Sequence, residues 1–316
     1  MTAPDVSRPL TARAVWPLFW VHTALIVFST IALVTFVADL LTGQASPELT
    51  AWIQQEPNAT VYRLGWTYSG PTYIVIGVVA ALAHAVWLFG GKRAALMFGI
   101  ASLIALGSEL LGTSTGYPFG GYRYTDMLGY RILGLVPFPI PISWTYILYC
   151  GLAMCGRLLP ARDDARTRIV WAVVAGLILT AWDVAMDPAM VVTNHWVWFE
   201  PGQFYGMPYT NWIGWLVTGI VIAWVMMLFV KPSEFARRAA PSNFPIALYA
   251  VNGIMPIAIC ARYGFTWAVV FGTLAMVIPV ALALRAGRPV TDVTDQRPAG
   301  APRDLHRGPT AAGATR

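Results

Sequence analysis

The sequence predicts an all-α fold: a polytopic transmembrane helical bundle of about eight spans with both termini cytoplasmic. Three observations predict it. Of the 316 residues, 57% are hydrophobic and only 11% charged, against about 25% charged in an ordinary soluble chain. The apolar residues fall in blocks of about 20, the length that crosses a hydrocarbon core. Basic residues gather in every second connection, the bias that orients membrane helices.

In order, the spans are Pro17–Leu41, Pro71–Phe89, Arg93–Leu111, Ile140–Leu159, Ile169–Val192, Asn211–Val230, Phe244–Ala261 and Thr266–Leu284. The first is too long for a signal peptide and lacks a small-residue cleavage site, so it reads as a retained span. Arg8 and Arg13 precede it, and Lys92 and Arg93 fill the turn after the second span. Arg157, Arg162, Arg166 and Arg168 follow the fourth, Lys231, Arg237 and Arg238 the sixth, and Arg285 and Arg288 the eighth. The intervening connections carry Glu48 and Glu56, then the stretch after Glu109, then the segment around Glu200, and face the other side. Residues 1–15 are expected to form a cytoplasmic tail and 16–286 one transmembrane domain. Residues 287–316, basic and rich in Pro, Gly and Ala, are expected to be disordered. The expected home is a cell membrane, the bacterial cytoplasmic membrane, crossed many times.

The net charge of +6 is spread over short loops and is a topology signal, which leaves no nucleic-acid surface. Cys150, Cys155 and Cys260 lie inside spans without metal-type spacing and read as small buried residues. His22 and His84 are isolated intramembrane histidines with a structural reading. There is no convincing internal repeat, phosphate-binding glycine loop or histidine cluster.

The informative residues are the acids inside spans, each of which costs a few kcal/mol or more near the bilayer centre. Glu109 lies in the last turn of span three, in GSELLG; Asp183 and Asp187 lie late in span five, in TAWDVAMDPAM. Asp39 runs straight into a polar loop and reads as interfacial. Asp183 and Asp187 are four apart and share a helix face, where two like charges repel unless one keeps its proton or a cation sits nearby. Pro188 is expected to bend or loosen the helix beside Asp187 and open a cavity there. By the topology above, all three acids approach the non-cytoplasmic end. Low dielectric and the C-terminal end of each helix dipole both favour the protonated carboxyl, the form that general-acid chemistry uses. The bland reading is interfacial, hydrogen-bonded, structural acids; three at one level, two of them paired, favour a functional one.

The loops after these acids are dense in rings. One holds Tyr117, Phe119, Tyr122 and Tyr124, with Gly120 and Gly121 allowing a tight fold; the other holds Trp196, Trp198, Phe199, Phe204 and Tyr205. An interfacial aromatic belt accounts for Trp144 and Trp212. The remaining density suits a greasy pocket whose ring faces stabilise a cation by about 0.5–2 kcal/mol each. Such a pocket could protonate an alkene and support the resulting tertiary carbocation.

The order of ELLG, GYPFGGYRYTDMLG, GLVPFPIPISW, AWDVAMDPAM, HWVWF and FYGMPYTNWIGW resembles the integral-membrane carotenoid biosynthesis family over about residues 16–285. The resemblance implies a cofactor-free, metal-free hydration of the terminal isoprene double bond of a carotenoid (lycopene, γ-carotene or a fifty-carbon precursor) to a tertiary alcohol. Membrane lipid and other carotenoid-pathway enzymes are the implied partners. Glu109, Asp183 and Asp187 are then the catalytic candidates, with acid and base roles unassigned. Tyr117, Phe119, Tyr122, Tyr124, Trp196, Trp198, Tyr205 and Asn211 are the substrate-binding ones. Three other readings compete. A membrane prenyltransferase or elongase needs two aspartate-rich motifs, whereas D-x-x-x-D occurs once within the spans, and Arg123 and Arg131 are the main cations on that side. A carotenoid end-group cyclase begins with the same protonation and differs in product mass. A non-enzymatic carotenoid-binding or transport protein would favour broken helices near mid-membrane.

Overall fold

The computed structural model describes residues 9–287 apart from 42 and 44; the expected tail from 288 onward lies outside them. Helix α1 (Leu10–Ala32) continues through a π-helical stretch, Leu33–Val37, into α2 (Ala38–Leu41). It begins inside the segment expected to be an N-terminal tail. The short α3 (Pro47–Gln54) is capped by Ser46, whose Oγ accepts from the Leu49 amide. It leads to α4 (Asn58–Phe89) and, after Gly90, α5 (Gly91–Thr115). Strand β1 (Tyr122–Tyr124) and a small hairpin of β2 (Arg131–Ile132) and β3 (Val136–Pro137) precede α6 (Pro139–Leu158). Asp164 caps α7 (Ala165–Val192) through the Thr167 amide. After it come β4 (Trp196–Trp198), α8 (Tyr209–Phe229) and the single turn α9 (Pro232–Glu234). A π-helical turn at Phe235–Ala239 leads to α10 (Phe244–Val251), α11 (Ile254–Arg262) and α12 (Thr266–Arg285).

Seven stretches among the described residues are long and apolar enough to cross a membrane: Leu10–Leu40, Thr67–Phe89, Gly91–Thr115, Ala165–Val192, Tyr209–Phe229, Phe244–Arg262 and Thr266–Arg285. The chain is a helical, polytopic membrane protein. The remaining expected span is present as α6, but it is not among those seven. The reason is its position. It packs against α4, α5, α7, α8, α10 and α12, and most of its side chains are buried, including Ser143, Thr145, Tyr146 and Tyr149. A helix surrounded by protein does not need a lipid-like surface.

The end bearing the basic loops is laced together by arginines. Arg93 forms a forked pair with Glu234 (2.9 and 2.5 Å) and donates to the Phe229 carbonyl at the end of α8. Arg157 donates to the Ala240 and Ser242 carbonyls. At the opposite end Asp39 pairs with Arg262 at 2.6 Å and is partly exposed, in keeping with an interfacial acid.

The break in the helices falls away from the proline where loosening was expected. Helix α7 runs uninterrupted through Pro188 to Val192. The interruption lies instead between α10 and α11, at Asn252–Gly253, where the sequence NG followed by Pro256 halves one span.

Candidate active site

The loops after α5 and α7 meet as an antiparallel pair, β1 on β4, in the register Tyr122 to Trp198, Arg123 to Val197 and Tyr124 to Trp196. Period-two alternation turns Tyr122 and Tyr124 inward while Arg123 remains exposed. The pairing closes a cavity against the helices. Glu109, Phe119, Tyr122, Tyr124, Asp187, Trp196, Trp198 and Asn211 all line it, as do Trp144, Trp182, Trp215, Tyr146 and Asn252. Phe119 is wedged between α5 and α8. A β-carbon on Gly112 would come within 2.6 Å of its ring and one on Gly214 within 2.5 Å, so only glycine lets both helices approach.

Glu109 is buried and held by three donors. Tyr122 Oη (2.5 Å) and Tyr124 Oη (2.8 Å) both donate to Oε2, and Trp144 Nε1 donates to Oε1 at 3.2 Å. Burial pushes both phenols well above their usual range, so they stay protonated and donate. Donors on both oxygens favour the carboxylate and work against the burial that disfavours its charge.

The aspartates are served differently. Asn211 Nδ2 donates to Asp183 Oδ2 (2.9 Å) and to Asp187 Oδ2 (3.1 Å), tying the two carboxyls to one amide. Asp187 also accepts from Trp198 Nε1 at 3.1 Å and lines the cavity. Asp183 lies fully buried behind it, and its Oδ1 has no partner among the described residues. Two carboxyls bound to one amide repel if both are ionised, so the pair favours holding a proton between them.

Tryptophans complete the wall. Trp144 stacks on Trp215 with centroids 4.3 Å apart, and Tyr122 lies 5.1 Å from Trp198. Trp144 is thus not an interfacial belt residue: it is 1% exposed and bound to Glu109. Two expected substrate residues lie elsewhere. Tyr117 is 76% exposed, because its side chain leaves the loop on the outer surface. Tyr205 stacks on Phe265 at 4.4 Å and accepts from the Trp267 amide, so it anchors a loop to α12.

The deep end of the cavity was not anticipated from sequence. At the break between α10 and α11, Asn252 Oδ1 accepts from Tyr146 Oη (2.6 Å), and its Nδ2 donates to the Leu248 carbonyl (2.7 Å) and faces His22 Nε2 (3.3 Å). Trp182 Nε1 donates to the Asn252 carbonyl, and His22 Nδ1 is 2.8 Å from the Tyr73 carbonyl. That contact makes Nδ1 the protonated nitrogen and Nε2 an acceptor. His22 is therefore the structural residue expected. A polar residue in mid-span beside glycine was the available signal for Asn252.

Residues 69–279 match the family described as "Carotenoid biosynthesis protein", which takes in both loops and all three acids. This chain belongs to that family. It is 34% identical over 130 residues to the bisanhydrobacterioruberin hydratase of Haloarcula japonica; the aligned stretch is 41% of this chain and 43% of the relative. The chain therefore matches under half of that relative's length. No solved structure is matched.

Proposed function

We propose that this family member hydrates the terminal isoprene double bond of an acyclic carotenoid, without cofactor or metal, to give a tertiary alcohol. The observation that carries the reading is the pairing of two unlike acid environments in one aromatic cavity: Glu109 under three donors, and an aspartate pair sharing one amide. The likeness to a protein named as a hydratase supports the same reaction class.

In this reading the aspartate pair carries the proton, and Asp187, which lines the cavity, delivers it to the alkene carbon bearing hydrogen. The positive charge develops on the dimethyl carbon beside the faces of Tyr122, Trp144 and Trp198 and the anion of Glu109. Water adds to that carbon, and its surplus proton returns to a carboxylate, restoring the starting charge. Asn211 holds the aspartates together and Asp183 acts through Asp187. The substrate is lycopene, γ-carotene or a fifty-carbon precursor, delivered from lipid or by another enzyme of the pathway. The protein sits in the cytoplasmic membrane with eight crossings and both termini inside; α6, 20 residues and about 30 Å long, makes the eighth.

The broken helix at Asn252 is the feature that favours a non-enzymatic carrier. Its amide and carbonyl are already engaged by Tyr146, Leu248, His22 and Trp182, so the groups that would hold a coupling ion are occupied. The test is Asp187→Asn in a carotenoid-producing host, read by pigment chromatography. Loss of the hydroxylated product with normal protein levels supports the reading; unchanged product removes Asp187 from the mechanism.

A further inference from the structure

Hydration needs water inside a cavity walled by rings, and the fold contains a separate chamber beside it. This chamber, about 20 Å³, is bounded by Ser29 and Leu33 of α1, Ser69, Gly70 and Tyr73 of α4, and His195 among others. That volume exceeds the 10–15 Å³ that one water molecule requires. Tyr73 and Met255 border both the chamber and the acid cavity. On the other side Ser29, Leu33 and Ser69 also border an open groove between α1, α3 and α4.

Ser29 is the decisive residue. Thr23, Thr30 and Thr35 in the same helical stretch each fold their hydroxyl back onto the carbonyl four residues earlier. Ser29, 4% exposed, does not, and its Oγ has no partner among the described residues. An unpaired hydroxyl in a membrane interior costs on the order of 1–3 kcal/mol, so a resident partner is required. Apolar carotenoid supplies none. His195, on the same wall, has its Nδ1 2.9 Å from Thr193 Oγ1, which leaves Nε2 to meet water; burial pushes its pKa down to about 4, so the ring is neutral and brings no charge. Ser69 is the further hydroxyl on that wall, giving water the two or more polar partners it needs.

We infer that the Ser29 chamber is the water site that feeds the reaction, holding the nucleophile next to the acid cavity until the carbocation forms. The inference rests on the proposed hydration. In it Ser29 is a positioning residue: it donates no proton to the alkene and forms no bond to carbon.

The test separates water supply from proton transfer. Parent, Ser29→Val, which fills the chamber, and Ser29→Gly, which leaves room for a second water in place of the hydroxyl, are expressed in a carotenoid-accumulating host and assayed as membranes in D2O. The parent gives deuterated tertiary alcohol. Ser29→Val is expected to lower the alcohol about tenfold or more, the equivalent of one lost hydrogen bond, while unhydrated carotenoid acquires deuterium at the alkene carbon that bears hydrogen, through deuteration there and loss of the original proton. Ser29→Gly is expected to keep more of the alcohol than Ser29→Val. Full hydration by Ser29→Val, or joint loss of alcohol and deuterium exchange at normal protein level, overturns the water site. A parent that neither hydrates nor exchanges overturns the hydration reading itself.

Discussion

Replacing Glu109 by Gln tests the division of labour between the acids. Its two oxygens receive Tyr122, Tyr124 and Trp144 at 2.5, 2.8 and 3.2 Å. A glutamine has one carbonyl oxygen, which can serve the two phenols or the indole but not both sides. Its NH2 group then faces a donor. One buried donor left unpaired costs about 1–3 kcal/mol, so Glu109→Gln is expected to fold with a lowered melting temperature in detergent. The catalytic loss should be larger: removing a preorganised group aimed at transition-state charge costs about 10²–10³ in rate, or about 2.7–4 kcal/mol. Hydrated pigment, quantified chromatographically and normalised to membrane-inserted protein, reads the rate; a detergent melt reads the stability. Hydration at the parental rate by a correctly inserted Glu109→Gln protein would refute the role of Glu109 as the anion beside the cation.

Three further outcomes follow from the same geometry. Asn211→Leu strips the shared amide from Asp183 and Asp187; hydration measured by pigment analysis should fall at least about tenfold, as one charge-assisted hydrogen bond at the reacting pair is worth about 1.5–3 kcal/mol. Asn252→Ala leaves Tyr146 Oη without its acceptor and should lower the melting temperature, each buried orphan costing about 1–3 kcal/mol. Tyr117→Ala, at an exposed position, should leave stability within about 0.5 kcal/mol and pigment composition unchanged; a large loss of hydrated product would return Tyr117 to the site.

The spans were legible because a bilayer demands long apolar runs, and the acids were legible because lipid makes each one conspicuous. Their companions were harder to read. The β1–β4 pairing that joins Tyr122 to Trp198 depends on contact between strands whose partners lie 72 to 76 residues apart, and no local pattern encodes it. Trp144 carries the same composition signal as a belt tryptophan, and only its burial and its bond to Glu109 separate the two. Pro188 opens no break: missing one amide, α7 still continues to Val192, while the cavity expected there does reach Asp187, and the break between helices follows instead from Asn252 and Gly253. Helix α6 was found in place by its length, but its interior position allows polar residues that a lipid-facing span would not carry.

The central claim is that an acid cavity adds water to a carotenoid end group. Its most direct test is expression of the intact chain in strains accumulating lycopene, γ-carotene or a fifty-carbon precursor, followed by mass analysis of the extracted pigments. The account predicts a product heavier by one water per reacted end, absent with Asp187→Asn. A product of unchanged mass, which would indicate cyclisation or double-bond isomerisation, would contradict the account, as would an unaltered pigment pool in all three strains.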